Sequence, residues 1–534
     1  MMKQRTPLSL GVFTHILWGG NLMRRWLALL LCGAVCLCTC AAQGPGVSAL
    51  EGEGTAVKQT TTPASMSTTP ADIGVTVATV AASAAVLHGA AAKAEPPAVL
   101  DATAQTAGAK AATTSWTKFE RTIAAGLKKR WEGKQAIVVR ADGINSATAK
   151  VWLYEYKSGA WRVKYGPWTA VVGRNGVGKT AEGDGRSPSG AFLLGTAFGW
   201  GSTPDGMDYQ YRKLDSKDLW VDEAGPWYNR WVRGSTAVYG SGERLKNVKG
   251  YEYAVAVHYN DKATKNAGSA IFLHIWAGKG KGTAGCTAMS RTNLLRLLKW
   301  LDYDKRPILL QGTEAQLKEL MGEDWGIDPL PAGWGYVDDF IPDVVPDLRY
   351  ATKNNFTGAK LPGYKAPLAP LRMEAIKDLV KVAKALRKDG YGIRVYDAYR
   401  PQTATDAMLK WAKDADDTAT KAEYYPDIDK ADIPGTYVAA RSKHRLGGTI
   451  DLTLLKWSTG KNLDMGGSFD FFGAKSHYSY KGLTTTQRNN RARLRKALTT
   501  QDFEPYSKEW WHFTDAVPGS GGTFTIRPRQ FVLH

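Results

Sequence analysis

Residues 41–115 contain no Phe, Trp or Tyr and are built mainly from Ala, Thr, Pro, Gly and Ser. Such a stretch cannot bury enough apolar surface to offset the entropy of ordering it. Residues 43–115 therefore read as a disordered tether, and the globular parts lie beyond it. The chain is 43% hydrophobic and 10% aromatic, with 19 Trp among 534 residues. The stretch from residue 116 to the end is too long for one core and implies more than one domain.

The segment before the tether reads as an export signal. Met23-Arg-Arg-Trp26 is a short basic start, residues 27–37 are apolar, and Thr39-Cys-Ala-Ala42 supplies small residues. The apolar run is too short to span a membrane. Residues 1–22 read as an upstream extension, so that 1–42 is signal peptide with extension. Leu37-Cys-Thr-Cys40 is a loose lipobox. Lipidation of Cys40, giving a membrane lipid anchor, and plain cleavage near Ala42 both remain open. The expected location is the periplasm or cell envelope. Four of the five cysteines, Cys32, Cys36, Cys38 and Cys40, lie in or beside this signal, which leaves Cys286 alone in the folded part. An exported domain with one thiol has no internal disulfide. The net charge of +20 fits either an anionic wall or membrane surface or a basic solvated exterior. No long Lys/Arg run and no nucleic-acid module motif is present, so no nucleic-acid partner is expected.

Helical spacing covers 116–131, with Trp116, Phe119, Ile123 and Leu127 on one stripe. Strand signals come next at 136–140, 150–156, 161–165 and 168–172, separated by short polar turns, which predicts an antiparallel meander. Further strands are predicted within 251–258 and 270–275, a helix over 291–301 and a strand over 307–310. After Pro329 the pattern becomes α+β. Residues 371–388 form an amphipathic helix with Ile376, Leu379, Val380, Ala383 and Leu386 on one stripe and Gly390 at its end. A strand at 393–396 and a helix at 485–499 complete this part.

Gly173-Arg-Asn-Gly-Val-Gly-Lys-Thr180 fits the pattern of a phosphate-cradling loop. That mechanism needs a helix straight after the loop. Residues 181–190 instead contain three Gly and one Pro, which forbids one. The preceding strands are also antiparallel hairpins, so no nucleotide partner is expected.

Residues 270–274 end a strand at His274, and Gly282-Thr-Ala-Gly-Cys286 lies after a Gly/Lys-rich loop. This order can place an imidazole beside a thiol. The imidazole would lower the thiol's effective pKa and generate the thiolate nucleophile. Gly285 permits an unusual turn and would leave amide N–H groups near Cys286 free to hold an oxyanion. Gly173-Arg-Asn-Gly176, Glu182-Gly-Asp-Gly-Arg-Ser-Pro-Ser-Gly-Ala-Phe192, Trp227-Tyr-Asn229, Ile271-Phe-Leu-His274 and Thr283-Ala-Gly-Cys286 together resemble the YkuD-type L,D-transpeptidase domain, over roughly 134–312. The resemblance implies a catalytic Cys286 that forms an acyl-enzyme with a peptidoglycan stem peptide. It makes His274 the base and Gly285 a contributor to the oxyanion hole. Many members carry Arg two positions after the Cys, where this chain has Ala288. That puts carboxylate recognition of the donor in question.

A second group lies in Ser442-Lys-His444-Arg-Leu-Gly-Gly-Thr-Ile-Asp451 and Glu509-Trp-Trp-His512. Two imidazoles and a carboxylate suit a catalytic zinc site with an open fourth position. A further carboxylate can serve as the base. Together with residues 347–358, Tyr396-Asp-Ala-Tyr-Arg-Pro401 and Asp464-Met-Gly-Gly-Ser-Phe-Asp470, these motifs resemble the VanX-type D-alanyl-D-alanine dipeptidases, over about 335–517. The resemblance implies that His444, Asp451 and His512 hold one Zn2+ and that Glu509 is the general base and then acid. It implies that Arg400 polarises the scissile carbonyl, that Asp470 pairs with the substrate's amino group, and that Ser442 lines the pocket.

The expected chain is multidomain. A mainly-β L,D-transpeptidase domain (116–325) precedes an α+β zinc D,D-peptidase domain (326–534), after a signal peptide and tether. The expected partners are D-Ala-D-Ala and peptidoglycan stem peptides. Two alternatives stand beside this reading: L,D- and D,D-carboxypeptidase trimming without crosslinking, and a non-catalytic wall-anchoring lipoprotein. Dipeptidases of this type typically meet free dipeptide in the cytoplasm, whereas this one comes after an export signal.

Overall fold

The computed structural model describes residues 116–517, 519 and 521–533. The expected signal peptide, tether and Cys40 lie outside them. Among the described residues no helix is long and apolar enough to cross a membrane.

The first helix, Lys118–Arg130, starts at a capping box in which Thr117 and Glu120 satisfy each other's backbone N–H. Lys128, Lys129 and Arg130 occupy its last turn, where cations complement the helix dipole. Phe119, Ile123 and Leu127 are buried, as their spacing predicts. Three strands then form an antiparallel meander: Gln135–Ala141, Thr148–Lys157 and Ala160–Val171. The two strands expected at 161–165 and 168–172 are one. The Gly166-Pro167 step between them is absorbed by register shifts opposite Val151–Tyr154. Gly166 has φ +107°, and a Cβ there would meet the Val151 carbonyl oxygen at 2.5 Å.

The meander continues through Thr287–Met289, Phe272–Ile275 and Ala254–Val257 to Gly190–Gly199. That last strand also pairs with Pro307–Thr313, which in turn pairs with Gln135–Ala141. The hydrogen-bonded path thus closes on itself as a barrel, which removes its free edges. Gln530–Val532, near the end of the chain, adds antiparallel to Gly190–Gly199. The second domain's expected span, 326–534, therefore ends on a strand that belongs to the first domain's sheet. Leu533 and Phe531 sit in the same cluster as Phe119 and Ile123.

The second domain is built on a mixed sheet ordered Val345–Pro346, Tyr391–Asp397, Thr449–Lys456, His512–Thr514, Glu504–Pro505. The helix expected from 371 begins at Met373, because Pro370–Arg372 pairs with Trp334–Tyr336. Its buried stripe is Ile376, Leu379, Ala383 and Leu386, as expected, joined by Ala375 and Val382. Val380 is only half-buried. Thr485–Thr499 forms the other long helix, again from a capping box, between Thr484 and Gln487.

The two catalytic regions share a core of Leu219, Val221, Val232 and Tyr239 from the first with Val345, Leu455 and Trp457 from the second. A buried ionic cluster lies beside it. Arg529 donates to Asp261 (2.7 Å) and Asp338 (2.6 Å) and reaches Asp339 (3.4 Å). His258 contacts Asp339 at 2.7 Å and Asp261 at 3.2 Å. Burial and Arg529 oppose charge on His258, but Asp261 and Asp339 outweigh them and raise its pKa to about 9. An ionised His258 stabilises the fold fully below its unfolded pKa near 6.5, and that contribution is lost as pH rises through about 9. Arg529→Ala leaves the buried Asp339 and the partly buried Asp261 and Asp338 without their main cation, which costs about 3–5 kcal/mol. A lowered urea midpoint checks this. Wild-type stability is expected to fall between pH 6.5 and 9, and His258→Gln to flatten that slope.

Candidate active sites

The loop from Gly173 to Thr180 comes after the strand Ala160–Val171, and the next element is the strand Gly190–Gly199. The loop therefore leads into a strand and not into a helix. Its glycines serve close packing instead: a Cβ at Gly173 would meet the Gly185 carbonyl oxygen at 2.3 Å, and one at Gly176 the Ile144 carbonyl oxygen at 2.0 Å. Lys179 is buried, with its ammonium on Asp184 (2.9 Å) and the Ala181 carbonyl (3.0 Å).

Phe272–Ile275 and Thr287–Met289 run parallel, with His274 opposite Ala288. This brings Cys286, just before the second strand, beside the first. Its sulfur accepts from the Phe272 N–H (3.4 Å) and donates to the Ala270 carbonyl (3.3 Å). His274 Nδ1 lies 2.8 Å from the Ile275 carbonyl. Donation there leaves Nε2 as the proton acceptor. Tyr251 meets the imidazole edge-on at 5.3 Å between centroids. These groups line a cavity of about 270 Å³ together with Glu182, Asp222, Glu243 and Lys281.

Two expectations change here. Among the described residues no hydrogen bond joins His274 to Cys286. Burial, reinforced by Glu243, pushes the thiol up to about 12, and burial holds His274 below its ordinary value. Burial thus disfavours the thiolate and the imidazolium alike. The Gly285 N–H is also not free, because it donates to Thr283 Oγ1 at 3.1 Å. What Gly285 supplies is space: a Cβ would meet the Arg186 carbonyl oxygen and Ile271 Cδ1 at 3.1 Å each. Ala288 is fully buried. The cavity's cations come instead from loops, as Arg174, Lys179 and Lys281.

The second site is one rung of the second sheet. Asp451 pairs across to Asp397 on one side and to His512 on the other. His444 sits on a short 3-10 turn, Lys443–Leu446, capped by the Ser442 hydroxyl. The His444 Nδ1 is 2.7 Å from the Ala398 carbonyl, which turns Nε2 toward Asp451 Oδ2 at 3.3 Å. His512 Nδ1 lies 3.1 Å from Asp451 Oδ1. One ligand atom from each of the three falls within 4.8 Å of the others. His444 Nε2 and Asp451 Oδ1 are buried, and despite these short approaches neither makes a well-aligned hydrogen bond. Two imidazole nitrogens and a carboxylate converging in this way suit a divalent cation.

Comparison with known proteins agrees with this geometry. Residues 332–525 match the D-Ala-D-Ala dipeptidase family. The D-alanyl-D-alanine dipeptidase of Enterococcus faecium is 37% identical over 199 residues, which is 36% of this chain and 98% of that one. The enzyme of Enterococcus faecalis is 39% identical over 34% of this chain and 90% of its own. That of Streptomyces coelicolor is 36% identical over the same shares. The chain belongs to the D-alanyl-D-alanine dipeptidase family. Residues 137–317 match the YkuD L,D-transpeptidase catalytic domain.

Around the dipeptidase site, Glu509 Oε2 is 3.5 Å from His512 Nδ1. Burial, then Asp451 and Asp470, pushes its carboxyl well above the ordinary range. Arg400 donates to Asp397 at 2.8 Å, lies 3.5 Å from Asp451 and stacks 4.7 Å over the Tyr350 ring. Asp470 has φ +62°. Its Oδ1 accepts from the Tyr350 hydroxyl at 3.0 Å, while its buried Oδ2 has no partner. Burial, then Asp451, pushes Asp470 well up. All of these, with Ser442, line or border a cavity of about 270 Å³. Every residue expected at this site is thus brought together.

Sequence reasoning missed Asp397. It is fully buried, accepts from Tyr364 (2.6 Å) and Arg400, and approaches His444 Nδ1 at 3.5 Å. Its signal was the Asp397-x-x-Arg400 spacing. A bulge between Val395 and Asp397 aims both side chains at one place, and spacing alone does not reveal a bulge. Tyr251, Glu243 and Lys179 were likewise unassigned at the thiol site.

Proposed function

We propose that this is a bifunctional peptidoglycan-modifying enzyme, in which one domain hydrolyses D-alanyl-D-alanine with zinc and the other carries out cysteine-dependent L,D-transpeptidation of stem peptides. The observation that carries the first activity is the convergence of His444, Asp451 and His512 in a cavity that also holds Glu509 and the partnerless Oδ2 of Asp470. Zinc held by those three would act as a Lewis acid on the scissile carbonyl and the attacking water. Glu509, which lines the same cavity, takes the water's proton as a carboxylate and returns it to the leaving amine. Arg400, oriented by Asp397, offers guanidinium N–H groups to charge developing on the carbonyl oxygen. Asp470 Oδ2 receives the substrate's ammonium group. Tyr350 links Asp470, at the substrate's ammonium group, to Arg400, at its scissile carbonyl.

In the first domain His274 Nε2 takes the Cys286 proton as the sulfur attacks the acyl carbon. His274 then protonates the leaving D-amino acid, and later takes a proton from the attacking amine. The proposed location is the cell envelope, and it rests on the signal in residues 23–42. The first test is incubation with D-Ala-D-Ala with and without a zinc chelator. Release of D-Ala that the chelator abolishes and added zinc restores is the expected result. Release that ignores the chelator would defeat the zinc assignment.

A further inference from the structure

Asn229 does not line the thiol cavity. It is buried in the turn between the strands Asp218–Val221 and Trp231–Arg233, with φ +52°, a backbone that Asn takes more readily than most residues. Its Oδ1 accepts from the Ala270 N–H at 3.2 Å and from the Trp220 indole N–H at 2.9 Å. Its Nδ2 donates to the carbonyls of Tyr259 and Asn260, at 3.0 Å each. Indole and backbone N–H groups only donate, and carbonyls only accept, so the partners fix which way this amide faces. Two donors and two lone pairs are all used.

Both groups that hold the Cys286 sulfur are braced by this amide. The Ala270 carbonyl receives the S–H at 3.3 Å, and Ala270 has φ +53°. Alanine keeps such a left-handed backbone only where its surroundings hold it, and residues held in this way cluster at active sites. Its N–H is tied to Asn229. The Phe272 N–H donates to the sulfur at 3.4 Å, and the Phe272 ring meets the Trp220 indole edge-on at 4.9 Å between centroids. One side chain thus anchors Ala270 directly and Phe272 through Trp220.

We propose that Asn229 is a positioning residue for the thiol chemistry. It holds Ala270 in its left-handed conformation and Trp220 against Phe272, and so fixes the Cys286 sulfur at the place from which it attacks the acyl carbon. In that step the S–H proton leaves the Ala270 carbonyl for His274 Nε2 and the S–C bond forms. The bond to the D-amino acid then breaks, and its amine takes the proton from His274. The Phe272 N–H stays on the sulfur throughout. A misplacement of about 1 Å at such a centre costs on the order of 10²-fold in rate.

This inference rests on the reading of Cys286 as the nucleophile. Full-length Asn229→Ala is assayed with muropeptides for L,D-transfer, with D-Ala-D-Ala for dipeptide hydrolysis, and with iodoacetamide for alkylation of Cys286. Transfer is expected to lose about 10–10² in kcat with little change in KM, while dipeptide hydrolysis is unchanged. Alkylation by the small reagent, which needs no set orientation, should proceed at the wild-type rate or faster. Adding Ala270→Gly to Asn229→Ala should recover part of the lost kcat, because glycine takes a positive φ without a brace. Asn229→Ser, which keeps a hydroxyl for one of the four groups, carries the same test if Asn229→Ala does not fold. Wild-type kcat for transfer in these variants would overturn the inference. So would a parallel loss of transfer and alkylation, which marks a damaged fold and not a misplaced sulfur. Retained transfer in Cys286→Ala would instead defeat the nucleophile reading, whatever Asn229→Ala does.

Discussion

Glu509→Gln is expected to lower kcat for D-alanyl-D-alanine by about 10²–10⁴, the usual contribution of a positioned general base. The amide fills the same space and keeps a polar contact to His512, 3.5 Å away in the wild type. It cannot accept and return a proton. KM should change little, because the proposed substrate contacts, Asp470 and Arg400, are untouched. Zinc content should stay at that of the wild type, because Glu509 is not among the three converging ligands. His512→Ala provides the contrast: it should lose metal and activity together. Metal analysis beside kinetics separates the two. A Glu509→Gln enzyme with full turnover would move the base elsewhere.

Cys286→Ala is expected to abolish L,D-transfer, by at least ~10³-fold, since no other thiol lies among the described residues. Dipeptide hydrolysis should be unchanged. The two sites line separate cavities with no residue in common, so damage to one does not reach the other. Intact-protein mass spectrometry with muropeptides should show an acyl adduct on the wild type and none on Cys286→Ala. Trimmed products without crosslinks would favour carboxypeptidation, and crosslinks made by Cys286→Ala would remove the cysteine from the mechanism.

Residues close in sequence, or in adjacent strands, were readable. His274 and Cys286 line one cavity because a strand, a loop and a neighbouring parallel strand succeed one another. The helices at Lys118–Arg130 and Thr485–Thr499 carry their caps and stripes within a few residues. The loop at Gly173 is followed by a strand and not a helix, as the Gly and Pro content after it implies. His444, Asp451 and His512 were found through resemblance, and their spacing alone did not join them. Sheet register brings Asp451 and His512 together across 61 positions of sequence.

Local pattern misled where backbone amides and burial decide. Gly285 looked like an oxyanion donor, but its N–H is taken by a hydroxyl two residues away. Cys286 looked acidic beside a histidine, but burial and Glu243 make it a weak acid. Neither outcome depends on residue type alone.

The sequence by itself determined which chemistry-bearing side chains exist and which segments become strands and helices, because periodicity, caps and turn residues act over a few positions. Long-range packing alone makes Asp397 brace Arg400, pairs the Tyr251 hydroxyl with Glu243, and lets Arg529 tie the end of the chain to Asp261 and Asp338. The physical reason is the same in each case. A buried charge is tolerable only beside its partner, and the partner is chosen by a long-range fold that no short stretch of sequence encodes.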